Sequence, residues 1–249
     1  MKKITISLLS LAFLIGCGSS SSDDTTKDDK TLDFNRTNAK YDLNDYLQIN
    51  SVVTYKLSSY TNNSGEKKYE EDDKKEAFPS QTSRHKENVI VMTNAQNIET
   101  GTIKILTNKL ERTAKIGDKS IKFDVVRNFN IDDYITNSNM NQKISNATLE
   151  LNRACKTTNI LESKEYSGVT YKDVLEIKCS TTSKLTSKND LTPKADVEKS
   201  ELIYLAKEKG IIYTKSETCT SVTNIIIEDE KEVKVCKKEI KEIISFNKI

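Results

Sequence analysis

From Tyr46 onward, apolar and polar residues alternate with a period of two, the signature of antiparallel strands that bury one face and wet the other. Val53-Thr54-Tyr55-Lys56-Leu57 makes one such strand, and Val89-Ile90-Val91-Met92 is the apolar centre of another. The alternation is clearest where Ile121, Phe123 and Val125 stand against Ser120, Lys122 and Asp124. A Gly117-Asp118 turn precedes them, which predicts a hairpin with Leu110–Ile116. Ala147–Leu151, Val174–Cys179, Leu202–Ala206 and Ile211–Thr214 continue the pattern. Hydrophilic stretches at about 62–82, 128–143 and 184–199 separate these runs and are expected as long polar loops. Together they predict a mainly β fold: a single antiparallel meander domain over residues 44–249, forming a curved sheet or partly closed barrel. The C-terminus is open to two readings, because Val233, Cys236, Ile240, Ile243 and Ile244 fit a helical stripe while Ile243–Phe246 also fits a strand.

The first 43 residues do not follow this pattern. Met1-Lys2-Lys3 leads into an apolar run from Ile4 to Ile15, which ends at Gly16-Cys17 and a row of serines. A dozen apolar residues fall short of the ~20 a spanning helix needs, so residues 1–16 read as a signal peptide. Leu14-Ile15-Gly16-Cys17 resembles the bacterial lipobox, whose cysteine is acylated on its thiol and becomes the first residue after cleavage. The resemblance implies an acylated Cys17 and export, with the chain held to a membrane by its acyl groups at ~0.8 kcal/mol per buried CH₂. Gly18 after the cysteine resembles the sorting signal for the outer membrane, on its periplasmic or surface face. Residues 17–43 are polar, with Asp23-Asp24-Thr25-Thr26-Lys27-Asp28-Asp29-Lys30 at their centre, and read as a disordered tether.

Charge narrows the partners. The chain holds 39 Lys and Arg against 37 Asp and Glu, and loss of residues 1–16 removes Lys2 and Lys3, leaving 37 against 37. A neutral exported chain steers no polyanion, which argues against nucleic acid. The five arginines, Arg36, Arg84, Arg112, Arg127 and Arg153, are read with the lysines as solvating charge. Four cysteines remain beyond Cys17: Cys155, Cys179, Cys219 and Cys236. An even count in an exported chain predicts two disulfides, although four cysteines allow three pairings. Hairpin geometry favours Cys155–Cys179, whose midpoint falls on the Tyr166-Ser167-Gly168 turn. Cys219–Cys236 is the remaining pair by proximity, with a midpoint that fits less well on the turn residues Glu228–Lys231. No close C-x-x-C pair and a single histidine, His85, speak against a zinc site, and no metal or cofactor is expected.

Gly168-Val169-Thr170-Tyr171-Lys172-Asp173-Val174-Leu175-Glu176-Ile177, then Tyr204–Ile212, then Ile243-Ile244-Ser245-Phe246-Asn247 resemble a recurrent ending of uncharacterised bacterial lipoproteins. In that pattern one strand pairs with a hairpin and a final strand. The resemblance covers mainly residues 168–249, favours a strand at the C-terminus, and implies a β-sheet lipoprotein domain without an activity. It departs at Glu208, where the pattern has glycine. No nucleophile elbow, phosphate loop or His-Glu-x-x-His is present. His85 reads as a surface residue, the pairs Asp132-Asp133 and Glu70-Glu71 as solvated acids, and Tyr55, Tyr60, Tyr134, Tyr171, Tyr204 and Tyr213 as packing residues. The expectation is a non-enzymatic envelope lipoprotein that binds or scaffolds an envelope or surface component. Two rivals are a carrier of lipophilic ligands on a half-barrel and an envelope hydrolase. The carrier requires a deep apolar cavity, the scaffold a filled core.

Overall fold

The computed structural model describes residues 31–63, 70–71, 79–116, 119–144, 147–187, 194–223 and 232–249. The expected signal peptide, Cys17 and the acidic run at 23–30 lie outside them, as do the turns expected at Gly117-Asp118 and Glu228–Lys231. In chain order the strands are β1 (Tyr41–Asp42), β2 (Ser51–Asn63), β3 (Glu70–Glu71), β4 (Ser80–Lys86) and β5 (Val89–Asn94). Next come β6 (Glu99–Ile105), β7 (Lys109–Ile116), β8 (Lys119–Val126), β9 (Asn128–Phe129) and β10 (Tyr134–Ile144). The long strands β11 (Ala147–Tyr166), β12 (Val169–Ser187), β13 (Lys194–Ala206), β14 (Gly210–Thr223) and β15 (Glu232–Lys248) complete the chain. The C-terminal segment is thus a strand. One 3₁₀ turn, Leu43–Tyr46, is capped by the Asp42 carboxylate, which accepts from the Asn44 N–H at 2.8 Å.

Every pairing is antiparallel. The main sheet runs β10-β11-β12-β13-β14-β15-β2-β4-β5-β6-β7-β8, with β3 beside β2. Its C-terminal strand pairs with β2, so the two halves of the meander join into one wall. The free edges β8 and β10 approach each other without a ladder, leaving a barrel that is closed except for one seam. The small β1–β9 sheet lies at the chain's passage between those edges. There Arg127 grips Asp42 through Nε and Nη2, which make three contacts at 2.7 to 3.0 Å, and the Leu43 N–H reaches the Arg127 carbonyl at 2.8 Å.

One core cluster unites Ile90, Leu110, Phe123 and Val125 of β5, β7 and β8 with Cys155, Ile177 and Cys179 of β11 and β12, so opposite walls meet inside. Leu43, Tyr46 and Leu47 close this interior on one side. Leu32, Phe34 and Tyr41 also pack against it, so the folded chain begins earlier than residue 44. A second cluster gathers Val53, Tyr55, Tyr171, Val174, Tyr204, Ala206, Ile212 and Ile243. Here the β11–β12 hairpin reaches over to β14 and β15. Tyr166 stacks on Tyr213 at 5.0 Å, and the Ser167 hydroxyl donates to the Ile243 carbonyl at 3.0 Å.

The polar stretches expected as loops are largely strand. Residues 134–144 form β10, and 184–187 and 194–199 extend β12 and β13. The reason is that these strands are polar on both faces, and backbone pairing needs no apolar side chain.

Both disulfides form. Cys155 and Cys179 are directly opposed, with Cα atoms 4.1 Å apart. A Ser167-Gly168 turn with positive φ at both residues (51° and 75°) closes that hairpin, and a bulge at Thr157/Asn159 shifts the register so that the cysteines face each other. Cys219 and Cys236 are also directly opposed, at 4.0 Å, closer than the midpoint argument allowed.

Candidate functional site

Alternation along the long strands turns odd-numbered residues of β11, β12 and β13 inward. Leu149, Leu151, Arg153 and Cys155 follow one another on β11, and Ile177, Cys179 and Thr181 on β12, all but Arg153 being fully buried. On β13 the same face carries Lys199, Glu201 and Ile203. Residues between them, Glu150, Asn152, Lys178, Ser180, Thr182, Glu198 and Ser200, are exposed. At these positions the outward face of the three strands is polar.

Inside, the wall changes character along its length. The end nearest Leu43–Leu47 is apolar, and past Cys155 and Cys179 it carries charge. Glu201 accepts a hydrogen bond from Arg153, whose guanidinium also donates to the Thr181 hydroxyl at 3.1 Å. The Lys199 ammonium donates to the other Glu201 oxygen at 2.8 Å. Side-chain exposure is 14% for Arg153, 2% for Lys199 and 4% for Glu201, so this is an interior ion cluster. Burial alone raises the Glu201 carboxyl, but the charges and hydrogen bonds of Arg153 and Lys199 outweigh it and hold it below the ordinary carboxylate range.

Two further cations come from other strands, Arg112 facing Arg153 and Glu201, and Lys241 facing Arg112. Arg112 of β7 lies over the Phe123 ring at 5.8 Å, and its Nε is buried with no hydrogen-bond partner among the described residues. Desolvation and repulsion by Arg153, against the pull of Glu201, lower its pKa to about 10, which leaves it charged at neutral pH. Lys241 of β15 sits 3.7 Å over the Tyr55 ring. Desolvation and then Arg112 push its ammonium down to about 8. Arg112 also borders a cavity.

That cavity has a volume of 180 Å³. Its lining is mostly apolar, including Leu43, Leu47, Leu110, Phe123, Ile177 and the Cys155–Cys179 bridge. The polar side chains in its wall are Arg112, Arg153, Tyr46, Tyr55, Gln48, Gln81 and Thr136. The Tyr55 hydroxyl is buried and also lacks a hydrogen-bond partner, and burial raises its pKa well above the ordinary phenol range.

The residues singled out from sequence do not gather here. His85 is exposed at the end of β4, where its backbone N–H donates to the Asn50 side chain at 2.7 Å. Asp132 and Asp133 part company: Asp132 is open to solvent near Lys156, whereas Asp133 accepts from the Asn130 N–H at 2.6 Å and pairs with Arg36 at 3.1 Å. Glu70 and Glu71 form β3. Tyr55, Tyr171, Tyr204 and Tyr213 pack in the second cluster, with Tyr204 donating to Glu176 at 3.2 Å. Among the described residues, no group of three or more His, Cys, Asp and Glu is placed to hold a metal ion.

Reading the arginines as uniformly solvating is corrected for Arg112 and Arg153, which point into the barrel. The signal lay in position within the alternation, since Leu149-x-Leu151-x-Arg153-x-Cys155 puts a guanidinium on the buried face.

No protein-family model matches the chain, and no curated protein matches it. Among solved structures it is similar to OmpT, an outer membrane protein of Vibrio cholerae. The loop L8 deletion mutant is 4% identical with a TM-score of 0.20, covering 78% of this chain and 99% of that one. The outer-membrane expressed form is 5% identical with a TM-score of 0.22, covering 78% and 98%. At such scores the likeness carries no argument about this chain.

Proposed function

We propose that this protein is a lipid-anchored, non-enzymatic binding module of the cell envelope, held by acylated Cys17 at the outer membrane, whose barrel carries a small molecule inside. The observation that bears most weight is the 180 Å³ apolar-walled cavity within the barrel. A packed core would serve a scaffold, whereas a cavity among buried Leu, Ile and Phe side chains is the form ligand sites take. The wall's polar groups include the Arg112 guanidinium and the Tyr46 and Tyr55 phenols, whose pKa values lie well away from neutral pH, beside amides and a hydroxyl that do not titrate. They suit holding a ligand and do not form a nucleophile with a base. The anchor reading rests on Leu14-Ile15-Gly16-Cys17 and the serine-rich stretch behind it.

Two measurements test this. Native mass spectrometry of protein released gently from cells should find a small molecule bound with unit stoichiometry, and a chain bearing no mass beyond its own acyl groups refutes carriage. Metabolic palmitate labelling should mark the wild type and spare a Cys17→Ser chain; equal blankness of both removes the anchor.

A further inference from the structure

Resting on that reading, we propose that the cavity binds a compact amphipathic carboxylate, with its head between Arg112 and Arg153 and its hydrocarbon body against Phe123 and Ile177.

Two buried donors in the cavity wall lead to this. Glu201 is paired directly with Arg153 and Lys199, while Arg112 feels it only through its electrostatic field. Arg112 is therefore a cation in a low-dielectric interior with no direct counter-charge, which is costly. The Glu201 oxygens are already taken by Arg153 and Lys199. Arg112 has no carboxylate, and its Nε is a buried donor without an acceptor. The Tyr55 hydroxyl, in the same cavity wall, is a second one. Lys241 ties the two together, since it lies on the Tyr55 ring and repels Arg112.

An anion between Arg112 and Arg153 would relieve their repulsion and supply the missing acceptor. A carboxylate does so bidentately, in the geometry a guanidinium matches best. Glu201 in the same layer shows that this cluster accommodates a carboxylate, and its fixed charge works against a dianion. The rest of the lining has nothing to offer a second charged group. An apolar cavity of about 150 Å³ holds benzene, so 180 Å³ takes a body of one ring or a short chain. A bound head at Arg112 places that body over Phe123, which already lies beneath the guanidinium.

The test is calorimetric titration of the full chain in lipid nanodiscs, blanked against protein-free nanodiscs. The probes are octanoate, octan-1-ol, acetate and inorganic phosphate. Octanoate should bind at one saturable site, with octanol, acetate and phosphate each weaker by about tenfold or more, the loss expected for one charge-assisted contact or for the apolar body. Arg112→Met should weaken octanoate by about tenfold or more and leave octanol unchanged, while its melting temperature stays at or above that of the wild type, a result a merely structural arginine would not give. Tyr55→Phe, which removes one hydroxyl, should weaken octanoate several-fold and serves where Arg112→Met does not fold. Equal affinity for octanol and octanoate, undiminished octanoate binding in both variants, or phosphate binding as tight as octanoate overturns the proposal. Octanol binding with octanoate silent sinks the carboxylate and spares the carrier; silence from both sinks the two together.

Discussion

Replacing Glu201 with glutamine keeps the shape and hydrogen-bonding length of the side chain and removes its charge. The carboxylate is 4% exposed and takes hydrogen bonds from Arg153 and Lys199, with Arg112 also within its electrostatic reach. Breaking a buried ion pair by deleting one partner costs about 3–5 kcal/mol, because the other charge stays behind uncompensated. For a domain of this size each kcal/mol moves the melting temperature by roughly 2–4 °C, so Glu201→Gln should melt about 6–20 °C lower. Differential scanning calorimetry at pH 7 reads this directly. Adding Arg112→Met should recover part of the loss, since it removes one of the stranded cations. The pH profile gives a second check. Glu201 is held below the ordinary carboxylate range, so in acid the unfolded chain binds its proton first and stability rises with pH. Its contribution is complete above the unfolded pKa of about 4.3 and is lost as pH falls through the folded value. Glu201→Gln should flatten that acid limb. A variant melting within about 2 °C of the wild type, with the same acid slope, would refute the view of Glu201 as the counter-charge of the interior.

The other expectations can be checked with the same instrument. Lys241, lowered to about 8, is neutral in the folded chain at a pH where the unfolded chain still protonates it, so stability should rise from about pH 8 toward 10, and Lys241→Met should abolish that rise. Gly168 and Gly210 both have φ of 75°, but a Cβ at Gly168 meets nothing within 4 Å while one at Gly210 would lie 2.8 Å from Gln48 Cβ. Gly168→Ala should therefore cost about 1–2 kcal/mol and Gly210→Ala clearly more, by urea titration. Glu208, where the lipoprotein pattern carries glycine, holds φ of 58° in the Ala206–Gly210 turn, and Glu208→Gly should stabilise by up to about 1 kcal/mol despite glycine's entropy. Replacing Cys219 and Cys236 together by alanine opens a sequence separation of 17 residues and should cost about 3 kcal/mol; an unchanged denaturation midpoint would contradict this.

Much of the barrel was legible where one strand face is apolar. Phe123 and Val125 announced β8, Val89–Met92 announced β5, and Cys155 with Cys179 gave the register of the longest hairpin. Periodicity failed where the interior itself is polar. Thr181, Lys199, Glu201 and Ser216 point inward and are buried, yet in sequence they look no different from their exposed neighbours, so the ends of β12 and β13 passed for loops and the far half of β14 was not assigned. The same blindness hid the site. A buried arginine differs from a surface one only in the parity of its position, and that parity becomes readable once the strand is known to continue through it. The pairing of Arg112 with Arg153 lay further out of reach, because it joins β7 to β11 across the lumen and leaves no mark in local spacing.

Strands that are hydrophilic on both sides pair about as well when slid by two residues, since no greasy face is lost in the slide. The stretches of β12, β13 and β14 around Thr181, Lys199 and Ser216 are of this kind, and each sulfur bridge spans residues that stand opposite one another in neighbouring strands. A two-residue slip would pull those sulfurs out of bonding range. The crosslinks thus act as locating pins that select one alignment among near-equals, and a chain folded under reducing conditions should yield a mixture of offset hairpins even where its strand content is unchanged.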